Sequence, residues 1–194
     1  MSDIRIEERE TLIDTPRVKT ERLVLSRPDG ETREHVERIV HDHGSAATVL
    51  PYDPVRKTVL LTRQIRFPVY VRGDAALLVE PCAGLIDPGE TAEDAVRREA
   101  MEEIGTRLDT LERVAEVYTS PGFMTEKIAL YLAAYGPQDR VADGGGLEEE
   151  HEHIEVLEWP AARLGTMLEA GEINDAKLLI LTQALLARRP DLFE

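Results

Sequence analysis

Cysteine is nearly absent. Cys82 stands alone in 194 residues, which excludes an internal disulfide and fits a reducing cytoplasm. Its expected state is a small buried hydrophobe. Long apolar runs are also missing, and no stretch approaches the ~20 residues of a membrane span. Ser2 to Glu10 is too charged to read as a signal peptide. Basic residues are scarce, 23 against 38 acidic ones, for a net charge of −15. A broad grip on nucleic-acid backbone needs clustered lysine and arginine and is thereby excluded. An anionic substrate must instead be met by local arginines or by metal ions.

What is present suffices for one ordinary domain with a small appendage, since 42% of the residues are hydrophobic. Ile4 to Asp14 and Val18 to Arg27 alternate apolar and polar residues, the period of half-exposed strands. A turn at Arg27-Pro28-Asp29-Gly30 leads to a third strand candidate, Thr32 to Val40, although Glu34, His35 and Glu37 also suit a helix. Three short strands make a poor core alone, so a second subunit is expected against them. His41-Asp42-His43 lacks distant partners at zinc spacing and reads as a polar junction. From Ala46 the pattern turns to apolar strands, Ala46 to Tyr52, Thr58 to Ile65 and Leu77 to Val79, dividing the chain into residues 1–44 and 45–194. Further strands are expected at Arg113 to Tyr118, Ile128 to Ala134 and Ile154 to Glu158. Helices follow at Ala161 to Glu169, with Pro160 in the N1 position, and at Asp175 to Arg188.

The richest stretch is Gly84 to Thr106. It reads as a loop turning at Asp87-Pro88-Gly89 and then a helix, with Thr91 as N-cap, Asp94 three positions on and Gly105 as the left-handed stop. Glu99, Glu102 and Glu103 gather on overlapping faces of that helix. Like charges at this spacing cost a few tenths of a kcal/mol per pair, so the cluster asks for a counter-charge. A hard divalent cation would supply one, with the carbonyl of Ala83 as a further oxygen ligand and the carboxylate of Glu80 directed to the same cleft. Arg63 and Arg66, at the end of a strand, read either as forks for a phosphate or sugar or as surface charges paired with the acidic remainder. Gly144-Gly145-Gly146 opens a loop read as mobile, whose Glu148 to Glu152 include a candidate general base.

Gly84, five residues, Glu90, seven residues, and then Arg98-Glu99-Ala100-x-Glu102-Glu103-x-Gly105 resembles the Nudix hydrolase signature, with Thr106 the one departure where an aliphatic residue is usual. Arg63-Gln64-x-Arg66, Glu80-x-x-Ala83-Gly84 and Ser120-Pro121-Gly122 resemble the nucleoside-diphosphate-sugar branch of that family. Gly144 to Glu150, Ile154 to Glu158 and Gly171 to Asp175 are most similar to its GDP-mannose hydrolases. The resemblance covers roughly residues 15 to 186.

It implies an α/β fold, an α/β/α sandwich with a mixed sheet, preceded by a small antiparallel β domain exchanged across a homodimer. It implies Mg2+, with Mn2+ as the alternative, on Ala83, Glu99 and Glu103, supported by Glu102 and oriented by Arg98. Glu150 or Glu152 would be the base or a third metal ligand, and Arg63, Arg66 and Glu80 would lie near the substrate. Family members stack the base on an aromatic of the N-terminal domain. No aromatic precedes Tyr52 here, which leaves Arg17 or Lys19 as alternatives. The activity implied is cleavage of GDP-mannose to GMP and mannose 1-phosphate. The alternatives are an ADP-ribose pyrophosphatase giving AMP and ribose 5-phosphate, or a nucleotide-sugar sensor that has lost catalysis. Neither nucleic acid nor membrane is an expected partner.

Overall fold

The computed structural model describes every residue except Met1, Ser2, Arg17, Glu148, Glu150 and His151. The chain forms two compact units, one of residues 1–45 with 117–128 and one of residues 46–116 with 129–194. The first contains an antiparallel sheet of β1 (Arg5–Thr15), β2 (Val18–Asp29) and β3 (Thr32–Asp42), in the order β1-β2-β3. Its register sets unlike charges against each other: Glu10 faces Arg22, and Arg27 faces Glu34, each as an ion pair. Thr32 to Asp42 is therefore strand throughout. On β2 every third residue (Thr20, Leu23, Ser26) is buried. The alternation read in β1 does not bury one of its faces: that strand is exposed along its whole length, Ile6, Leu12 and Ile13 included.

The second unit is built on a seven-stranded sheet. β10 (Glu155–Pro160), β5 (Thr58–Ile65), β4 (Ala46–Asp53), β9 (Lys127–Ala134) and β8 (Glu112–Tyr118) follow in that order, with β6 (Leu77–Glu80) paired to β5 and β7 (Cys82–Leu85) to β4. Ala47 and Val49 of β4 pack with Ala129, Tyr131 and Ala133 of β9 against helix α2 (Ala92–Ile104), which contributes Ala95, Val96, Ala100 and Ile104. The alternating residues Leu50, Leu130 and Leu132 are buried too, and α4 (Ala176–Arg188) packs on β4. Helices thus cover both faces of the sheet, which is why every residue of β4 is buried.

Two elements escape the sequence pattern. β7 lies where a loop is expected; its residues Cys82 to Leu85 pair with Val49 to Ala46, and Thr48 Oγ1 donates to the Cys82 carbonyl at 2.9 Å. A short helix, α1 (Phe67–Arg72), buries none of its residues and stops at Gly73, where φ is 97°. Helix α3 (Ala161–Ala170) starts at Ala161 as expected, but Pro160, extended at ψ 134°, serves as its N-cap and not as N1.

Candidate active site

Helix α2 forms because its ends are tied. Thr91 Oγ1 accepts the Asp94 amide at 3.2 Å, and Gly105 closes the other end at φ 62°. Thr106 sits fully buried beyond it, its hydroxyl donating to the Ile104 carbonyl at 2.9 Å. That bond satisfies the polar group in a place where an aliphatic side chain is usual.

The helix faces β7, and the two bring the expected residues together. Glu103 Oε2 accepts the Ala83 amide at 3.0 Å. Arg98 gathers the others: it donates to Glu90 through Nε and Nη2 at 3.0 Å each, to Glu99 Oε1 at 2.6 Å and to Glu102 Oε2 at 3.3 Å. A further bond at 2.9 Å to the Leu85 carbonyl fixes it to the end of β7. These partners raise the pKa of Arg98, Glu90 foremost, so the guanidinium stays charged. Gly84 leaves room for Glu99 in this position: a Cβ there would lie 1.7 Å from Glu99 Oε1 and push that side chain aside.

Glu103 differs from the other buried acids. Asp53 pairs with Arg56, while Glu80 and Asp175 share Lys177. Glu103 is 2% exposed, and among the described residues no basic side chain reaches it. Burial pushes its carboxyl up to about 8, and the nearby Glu99 and Glu152 oppose its ionisation further. Burial also raises Glu99, against the pull of Arg98. The Cys82 thiol beside Glu103 is raised well above its ordinary range by burial and stays an inert hydrophobe. An unpaired buried carboxylate with a second one close by fits a divalent cation. Among the described residues no three acidic, histidine or cysteine side chains yet converge as around an ion. Glu99 and Glu102 turn to Arg98, and Glu103 turns to the Ala83 amide.

The glycine loop is docked, contrary to the mobile hinge expected. The Gly145 amide donates to the Glu103 carbonyl at 2.9 Å and the Gly146 amide to that of Glu102 at 3.1 Å. A Cβ on Gly144, whose φ is 74°, would fall 2.4 Å from the Glu103 carbonyl oxygen. These bonds satisfy the last carbonyls of α2 and bring Glu152 towards the glutamates. The Leu147 amide donates to Glu152 Oε2 at 3.3 Å. Glu150, the other candidate base, and Arg17, the candidate base contact, lie outside the described residues.

The arginines before the box are both paired. Arg63 Nε donates to Glu155 Oε2 at 2.7 Å across β5 and β10. Arg66 Nε donates to Glu80 Oε2 at 2.6 Å. Glu80 is buried and also accepts Lys177 Nζ at 2.9 Å, which in turn donates to Asp175 Oδ2 at 2.7 Å. Burial raises Glu80, but Lys177 and Arg66 outweigh it and hold the carboxyl below its ordinary value. Sequence reasoning missed Lys177. It lies 97 residues from Glu80, and only the Asp175 cap of α4 marks its neighbourhood.

The NUDIX domain family matches residues 42–181. GDP-mannose pyrophosphatases are among the relatives. That of Cronobacter sakazakii is 44% identical over 165 residues, covering 84% of each chain. Those of Salmonella typhi and Escherichia coli are 42% identical over 162 residues, covering 83% of each. A crystal structure of an ADP compounds hydrolase superposes with a TM-score of 0.71 at 22% identity, covering 96% of both chains, and shows the same fold.

Proposed function

Because the chain belongs to the Nudix hydrolases, with an α/β/α sandwich and a mixed sheet, we propose that it hydrolyses the pyrophosphate bond of a nucleoside diphosphate sugar. GDP-mannose is the substrate, and GMP and mannose 1-phosphate are the products. The observation that carries this reading is Glu103, a buried carboxylate without a basic partner among the described residues. It supports a divalent cation on Glu99, Glu102, Glu103 and the Ala83 carbonyl. Mg2+ is the preferred ion and Mn2+ the substitute. When bound, the ion would neutralise the diphosphate and lower the pKa of the attacking water. The relatives named GDP-mannose pyrophosphatase support the choice of substrate.

The chain's own groups then have separate tasks. Arg98 holds Glu99 and Glu102 in place and ties them to the end of β7. Glu152, or Glu150 on the same loop, takes the proton of the attacking water. The docking of that loop on the carbonyls of Glu102 and Glu103 supports this role. Arg66 is held by Glu80, which Lys177 also binds, ready to meet the diphosphate or sugar, with Arg63 three residues earlier on β5. The exposed apolar residues of β1 support a homodimer that exchanges the β domain, residues 1–44, between copies, with residues 45–194 as the catalytic domain. The single free, buried cysteine supports a cytoplasmic setting. No helix among the described residues is long and apolar enough to cross a membrane.

A substrate panel with Mg2+ tests the reading. GDP-mannose is expected to give the highest kcat/KM among GDP-mannose, ADP-ribose, UDP-glucose and ATP. A higher value for ADP-ribose would transfer the assignment to that substrate, and binding of GDP-mannose without cleavage would make the protein a sensor.

A further inference from the structure

Aromatics are few, and Tyr118 and Phe123 are each more than half exposed. Both belong to the unit formed by residues 1–45 and 117–128, where they line an open groove of about 530 Å³ with Leu25, Arg38 and Val40. The groove is not a chance gap in a floppy turn. The His41 amide donates to the Phe123 carbonyl at 2.7 Å, and the Thr125 amide to the His41 carbonyl at 3.0 Å. Within the turn, the Phe123 and Met124 amides both donate to the Ser120 carbonyl, at 3.2 and 3.0 Å. The end of β3 thus holds Phe123 in place while its ring stays open to solvent. Gly122 beside it faces empty space, with nothing within 4 Å of where a Cβ would stand.

The charge in the groove is distinctive. Most arginines of this acidic chain are bound to carboxylates, but among the described residues Arg38 has no ion-pair partner. One of its five N–H donors is used, by Nη1 on the Glu37 carbonyl at 2.7 Å. Lys127 places a second cation 5.0 Å from the Tyr118 ring. A fixed, exposed ring beside a guanidinium with free donors suits a flat, polar, anionic ligand. A nucleobase stacks on such a ring, and a guanidinium pairs with the O6 and N7 acceptors of guanine, whereas adenine presents an amino donor at the same edge. We propose that this groove binds the nucleobase of a purine nucleotide, with Phe123 as the stacking platform and Arg38 selecting guanine over adenine. This deepens the reading of the chain as a nucleotide-sugar hydrolase, rests on it, and supplies a ring that the first fifty residues do not contain.

The test is equilibrium binding of GMP and AMP to the full-length, metal-free protein by calorimetry, with mannose 1-phosphate as inhibitor of the Mg2+-loaded enzyme for comparison. Phe123→Ala is expected to weaken GMP five- to hundredfold, the range of a lost base stack. Phe123→Tyr restores it, and inhibition by mannose 1-phosphate stays within twofold. Arg38→Met brings GMP and AMP affinities within threefold of each other. The proposal is overturned if Phe123→Ala binds GMP like the wild type, or if mannose 1-phosphate is weakened equally. It is also overturned if Phe123→Ala leaves GMP binding intact and converts a dimer to monomers, since the groove is then a contact between copies. If GMP binds as expected but no nucleotide sugar is cleaved, the hydrolase reading fails and the groove stands.

Discussion

Replacing Glu103 by glutamine removes a charge that the metal-free fold disfavours. Its carboxyl titrates near 4.5 when unfolded and is pushed up to about 8 in the fold. For an acid raised in this way, the native state is fully stable below pH 4.5 and loses stability as pH rises through about 8. At about 1.4 kcal/mol per unit, the ceiling of the loss is about 5 kcal/mol above that range. Relaxation around a buried charge and the unmet amide of the new side chain leave a net gain of about 2 kcal/mol for Glu103→Gln. In thermal unfolding with EDTA, the variant should melt roughly 4–8 °C above the wild type at pH 8.5. The advantage should vanish near pH 4.5. Saturating Mg2+ should reverse the order by stabilising the wild type alone. A wild type whose melting temperature is flat between pH 5 and 8.5, or a variant stabilised equally by Mg2+, would refute the reasoning.

Gly84→Ala places a Cβ 1.7 Å from Glu99 Oε1. The flexible carboxylate yields more easily than the backbone, so kcat/KM should fall at least tenfold while the melting temperature, read by circular dichroism, shifts by only a few degrees. Lys177→Met leaves Glu80 with Arg66 as its one basic partner among the described residues, at a cost of roughly 3 kcal/mol at pH 7. Urea titrations should show that deficit shrinking as pH falls below 4.5, because Glu80, held below its ordinary value in the fold, then loses its charge in both proteins.

The helix carrying the glutamates was legible because its signals are local: a threonine cap, an acid three residues on and a glycine stop. The strands from Ala46 were legible because their apolar runs are long enough to be buried on both faces. β7 was hidden because the stretch from Gly84 reads as loop, although pairing with β4 overrides that preference. α1 was hidden because it buries nothing, and burial is what a periodic pattern records. The glycine loop illustrates the limit of composition. Three glycines suggest freedom, yet here they permit close docking on the Glu102 and Glu103 carbonyls. The Glu80–Lys177 pair was out of reach for another reason, since no local pattern links residues so far apart in the chain.

Glu103, without a basic partner among the described residues, is expected to be indispensable to metal-dependent cleavage of the diphosphate. Phosphorus NMR of GDP-mannose incubated with Mg2+ and either wild type or Glu103→Gln addresses it directly. The account predicts that wild type replaces the two coupled diphosphate signals by two monophosphate signals, and that the variant leaves them intact over the same time. Unchanged diphosphate with the wild type, or equal conversion by the variant, would contradict it.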